Sequence, residues 1–175
     1  MNNNLLFKIL FITLLVTFKA TAVEKIVFVD LQFILSNSSA GKSLYSQIKK
    51  IEKQKIPKIE KTQTELRNEE KKLISQKNIL EVNEYKKKVN LLRKKIILHN
   101  NEKKILLASL KNKQFNGRNE IIKTMTPILK DYASKNSISL ILQKNNILLG
   151  DTKIDVTNEI LELLNKKIKK IDWTI

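Results

Sequence analysis

The chain has 175 residues with 34 Lys or Arg against 17 Asp or Glu, giving a formal net charge of +17, and its aromatic share is 6%. So few aromatic side chains argue against a large globular core, and only three Gly and two Pro argue against a fold with many turns. The absence of Cys excludes disulfides, thiol chemistry and Cys-based metal sites.

Residues 1–22 have the three parts of an export signal: a polar start with Lys8, an apolar run from Ile9 to Phe18, and Ala20-Thr21-Ala22 as the cleavage site. A membrane anchor is the competing reading, but a spanning helix needs about 20 apolar residues and this run is closed by Lys8 and Lys19. Cleavage after Ala22 removes two cations and no acid, so the mature charge is +15. The expected location is the periplasm.

Lys25 to Asp30 is a β-branched and aromatic run ended by an acid, the pattern of a short buried strand. The cluster Ser36 to Ser39 then supplies helix N-cap oxygens. A heptad seam follows at Leu44, Ile48, Ile51, Lys55, Ile59, Thr62, Leu66, Glu69, Leu73, Gln76 and Leu80, with one extra residue near Pro57, where a kink is expected. A break around Asn78 to Asn83 precedes a second seam at Tyr85, Val89, Leu92, Ile96, His99, Lys103, Leu106 and Leu110. Two long helices folding back on each other satisfy both seams, with Pro127 as a second kink point. Toward the end, Ser137 to Leu142 alternates with a period of two, and Asn145-Asn146 before Ile147 to Gly150 predicts a β-hairpin. Thr157 is the predicted N-cap of a closing helix.

The fold class is therefore α+β and predominantly helical: a small strand-containing body, 23–43 and 133–175, carrying a long antiparallel α-helical hairpin arm, 44–132, with its tip near 78–84. Three short strands would leave open edges, which oligomerisation could cover.

No catalytic constellation emerges. Ala40-Gly41-Lys42-Ser43 evokes a phosphate loop, but Ser36 stands where the required Gly belongs and the loop comes too late after the strand, so no nucleotide binding is expected. His99, the one histidine, reads as a polar break in the coil, and a single His without Cys makes no metal site. Asp30, Asp151 and Asp155 sit at element ends, where capping and turn roles are expected. The protein is expected to be no enzyme and to need no cofactor.

From Lys49 to Gln114, twenty Lys or Arg face eight Glu, so an excess of twelve of the mature charge lies on the arms. Such runs exceed what neighbouring acids can neutralise and suggest an electropositive binding surface. Candidate contact residues are the cations Lys71, Lys72, Lys77, Lys86, Lys87, Lys88, Arg93, Lys94 and Lys95, with the apolar Ile79, Leu80, Val82 and Tyr85 near the tip.

Two stretches resemble the Skp/OmpH family. At the front are Ile26 to Asp30, Ile34-Leu35 and Ala40-Gly41-Lys42, with Gly41 eleven residues after Asp30. At the back are Leu140 to Leu142, Ile147 to Leu149, and Ile154 to Thr157 with Glu159. Leu149-Gly150 stands where the family often has Tyr-Ala, and Pro57 within an arm is unusual. The resemblance implies a homotrimer assembled through the body, whose arms enclose a cavity for unfolded outer-membrane proteins that it holds without ATP.

Two other classes fit the charge. A nonspecific nucleic-acid binder would explain the lysines, but no aromatic stacking set or base-reading motif is visible and the export signal places the chain elsewhere, so no specific nucleic acid is expected as a partner. A structural or envelope-surface coiled coil could use the same charge on anionic lipid, and lipopolysaccharide is an open partner.

Overall fold

A computed structural model describes residues 24–171; the expected signal segment lies outside the described residues. Lys25–Val29 forms strand β1, whose Val27, Phe28 and Val29 are buried. Asp30 ends it and caps helix α1, Leu31–Asn37, by accepting from the Phe33 amide at 2.9 Å. Ser38 then caps helix α2, Ser39–Ser75, its buried hydroxyl oxygen accepting from the Gly41 amide at 3.1 Å. Gly41 is required here by space: a Cβ would stand 1.8 Å from the Leu35 carbonyl oxygen, so the glycine lets the start of α2 lie against α1.

The chain turns through residues 76–81 into helix α3, Val82–Lys135. Both prolines, Pro57 in α2 and Pro127 in α3, lie within uninterrupted helices. After α3, Ser137 adopts a left-handed φ of 53°, which ends the helix and turns the backbone into strand β2, Ile138–Gln143. Helix α4, Thr157–Lys167, closes the body.

The predicted β-hairpin does not form. Strand β2 pairs in parallel with β1, with Val27 against Ile141 and Val29 against Gln143. Lys144–Asn146 is a single 3₁₀ turn, and Ile147 to Gly150 is not a strand but runs near the Phe28 ring. Alternation marked β2 correctly, but its partner lies at the other end of the chain, where a local turn signal cannot point. Among the described residues the sheet has two strands, and the whole arm is the crossover between them.

Thr157 is also not the N-cap of α4; Val156 occupies that position. The Thr157 hydroxyl instead accepts from the Asp30 amide at 2.8 Å and donates to the Asp155 carboxylate, which also accepts the Thr157 amide at 3.0 Å. This latch fastens the end of β1 to the start of α4. Val27, Val29, Ile34, Leu35, Ala40, Leu44, Ile121, Met125, Ile160 and Leu164 form the core of the body, drawn from both chain ends and from the base of the arm. The fold is thus mostly helical, with a small two-strand sheet and one long antiparallel arm.

Candidate binding surface on the arm

Two polar links join the helices of the arm: Lys95 Nζ reaches both carboxylate oxygens of Glu69 at 2.8 and 3.0 Å, and Lys103 Nζ reaches Gln63 Oε1 at 3.4 Å. His99 lies on α3 between the two lysines of these links. Every predicted seam position of α3, from Tyr85 to Leu110, is buried or half-buried. On α2 the prediction needs correction at Lys55, Thr62 and Glu69, which are exposed, while Ile56 and Gln63 turn inward. A seam with so many polar residues is narrow, and side chains one helix position to either side compete for the contact.

Toward the tip, Leu66, Leu73 and Leu92 form a second small core that Leu80, Tyr85, Val89 and Ile96 cover. Leu80 and Tyr85 are therefore part of the arm's own packing. Ile79 and Val82, at 80% and 69% exposure, are open to solvent. His99 is only 5% exposed, and among the described residues neither ring nitrogen has a hydrogen-bond partner, so the seam carries an unsatisfied polar group near its middle.

The candidate cations do not make one patch. Residues seven apart share a helix face, so Lys86 pairs with Arg93 in direction, Lys87 with Lys94, and Lys88 with Lys95. The last two are neutralised, Lys88 by Glu84 at 2.9 Å and Lys95 by Glu69 at 2.8 Å. Lys71, Lys72 and Lys77 are exposed around the end of α2, with Lys72 in its last turn beside the negative end of the helix dipole.

Two features of the arm escaped the sequence reading. On one flank of the seam, exposed Leu91, Leu98 and Ile105 recur every seven residues, and Ile105 borders a groove of about 450 Å³ with Lys58 and Thr62. On the other flank, Ile74, Tyr85, Arg93 and Ile97 line a groove of about 280 Å³. Reading only a and d positions hides residues one step outside them; scoring the flanking positions separately would have found both rows.

In the body, each aspartate singled out from the sequence serves a local bond: Asp30 caps α1, Asp151 accepts the Lys153 amide, and Asp155 holds Thr157. Burial alone would raise the Asp155 carboxyl, but the two bonds from Thr157 and the Lys144 ammonium, 3.5 Å away, outweigh it and hold the group below its ordinary range. Burial, with the nearby Glu159 charge, pushes the Tyr132 hydroxyl up. Among the described residues no group of three or more His, Asp or Glu is placed to hold a metal ion, and no helix is long and apolar enough to cross a membrane.

A two-stranded body closed by both chain ends, with a basic helical arm as the crossover between its strands, defines an arm-bearing α+β class of protein. The sequence matches the family described as outer membrane protein (OmpH-like) over residues 25–164, and the chain belongs to that family. The fold is similar to the crystal structure of an OmpH-like protein of Caulobacter crescentus CB15 assigned as an outer membrane chaperone. That likeness has a TM-score of 0.74 at 15% identity and covers 90% of this chain and 93% of the other. No curated protein matches the chain.

Proposed function

We propose that this protein is an ATP-independent holding chaperone that binds unfolded outer-membrane proteins in the periplasm and keeps them from aggregating. Family membership and the likeness to a protein assigned as a chaperone support the general role. The observation that carries the finer reading is the arm itself: long, basic, packed on a narrow seam, and bearing exposed apolar side chains that the hairpin does not use. Such a surface binds by many weak contacts, with charge drawing the client in at short range and apolar side chains retaining it.

The body supplies the means of assembly in this reading. Ile26, Phe33, Leu140 and Leu142 are large apolar side chains left more than a third exposed around the two-stranded sheet, and Leu148 and Leu149 are almost fully exposed. A homotrimer joined through this surface would cover them and the open strand edges. A non-catalytic role with no cofactor fits the capping and turn bonds made by Asp30, Asp151 and Asp155. Export by the N-terminal signal, with cleavage after Ala22, completes the proposal.

The test is light scattering after rapid dilution of a urea-denatured outer-membrane barrel protein. The mature protein, without ATP, should suppress the signal at a fixed ratio of oligomer to client. Equal scattering with and without intact protein would sink the reading.

A further inference from the structure

The seam of the arm consists of two apolar stretches with a polar layer between them. Nearer the body, Ile59, Leu106 and Leu110 turn inward. Toward the tip, Leu66, Leu73 and Leu92 are buried under Leu80, Tyr85, Val89 and Ile96. Between these stretches stand Gln63 on α2 and His99 and Lys103 on α3. Gln63 and Lys103 bond to each other at 3.4 Å and leave His99 out, its ring enclosed in the seam with both nitrogens bare among the described residues.

Histidine is the side chain whose charge ordinarily changes between pH 5 and 8, and this chain has one. Without an acceptor the ring suits a closed seam only when neutral, because a proton would add a buried cation with no partner. The charged groups around it give no relief. On α3, Lys95 stands one turn before the ring and Lys103 one turn after, and both repel a further positive charge. Glu102, three residues on, is exposed and lines the groove that holds Lys55 and Lys58. On α2, the stretch from Gln63 to Glu69 carries Glu65 and Arg67, both exposed. Glu65 lies 3.9 Å from Lys61, and Glu69 holds Lys95 with both of its oxygens. An arm that opens here gives the ring water as an acceptor, so proton uptake and opening favour each other.

We propose that His99 is a proton-operated lock on the outer part of the arm. Neutral, it lets α2 and α3 close over Leu66, Leu73 and Leu92; protonated, it parts the helices there and bares those leucines. The lock works whatever the arm binds, so it does not depend on the chaperone reading. Under that reading, acid adds three leucines to the surface that retains a client.

Hydrogen exchange of the mature protein at about pH 7.5 and about pH 5, corrected for the intrinsic effect of pH on exchange, tests the lock. At the lower pH, opening around Leu66 and Leu92 should rise about tenfold while the amides of α4 keep their protection. Asp155, held below its ordinary range, stays charged at both values, so the body is the internal reference. His99→Leu removes the titrating group, and His99→Gln keeps a polar side chain that takes no proton; both should abolish the response. An unchanged wild-type arm, a response that survives in either variant, or equal opening in α4 would overturn the proposal. Nuclear magnetic resonance of protein labelled at its one histidine supplies a second readout. The ring should titrate in step with the loss of protection, and a ring that charges while the arm stays closed would also overturn it.

Discussion

The body and the arm solve opposite problems with the same helices. At the base, α2 and α3 pack against the rest of the body as well as against each other: Leu44, Ile121 and Met125 are buried with β1 and α4, and Gly41 is pressed against the Leu35 carbonyl. Farther out, the helices have only each other, their seam includes Gln63 and an unsatisfied His99, and large apolar residues remain in water. The difference teaches where this molecule keeps its stability and where it leaves apolar surface in water. A body packed in three dimensions tolerates little change, whereas a two-helix seam tolerates much and determines little beyond register.

The strongest way to break the contrast is at the body. Gly41→Ala places a methyl group against a backbone carbonyl that cannot move without shifting α1, so it should cost about 3 kcal/mol of unfolding free energy. Urea denaturation followed by circular dichroism measures it; a loss below about 1 kcal/mol would show that α1 yields easily. Of opposite sign, His99→Leu fills a buried seam position without an unsatisfied polar group and should stabilise the arm by about 1–2 kcal/mol. Slower hydrogen exchange of α2 and α3 amides around Leu66 and Leu92, with exchange in α4 unaltered, is the expected readout. An arm that loosens would mean that the imidazole makes contacts more favourable than its orphaned nitrogens suggest.

The latch at Asp155 gives a pH signature confined to the body. Its carboxyl is held below its ordinary range in the folded state, so it stabilises the fold above the unfolded-state pKa. That contribution disappears as pH falls through the folded value, below about 4. Asp155→Asn should lower Tm at neutral pH, and the gap between variant and wild type should narrow on acidification. A constant gap would mean that the hydrogen bonds of Thr157 do not depend on the charge. Smallest of all, Lys95→Ala removes an exposed cross-arm pair and should change stability by less than about 0.5 kcal/mol. A larger loss would show that this pair, rather than the apolar seam, fixes the register.

Much of the architecture was legible because helical periodicity is local. The α3 seam could be read residue by residue, and Ser38 was among the capping oxygens foreseen before α2. The misreadings in the body involve distant partners, whereas those on the α2 seam are slips of one helix position. Asn145-Asn146 looks like a hairpin turn, yet β2 pairs with a strand formed at the far end of the chain. Thr157 looks like a cap, yet its hydroxyl is taken by the Asp30 amide across 127 residues. On the candidate surface, the run of six cations from Lys86 to Lys95 appears as one patch when written in a line. Wound on a helix it covers three faces, and only the ion pairs to Glu69 and Glu84 reveal which of them is neutral.

Making the arm the crossover between two parallel strands also affects how the chain finds its fold. Closing a flexible loop of 127 residues between Asp30 and Thr157 costs about 4 kcal/mol of chain entropy before any contact of the latch is made. Zipping of α2 onto α3 from the turn at 76–81 joins near neighbours first and brings the two ends of the chain to the same place. Pulse-labelling hydrogen exchange during refolding should therefore protect amides near Leu73 and Leu92 before those of β1 and β2. The arm then acts as a jig for its own polypeptide, and shortening α2 and α3 by a matched pair of heptads near the tip should speed rather than prevent the docking of β1 on β2.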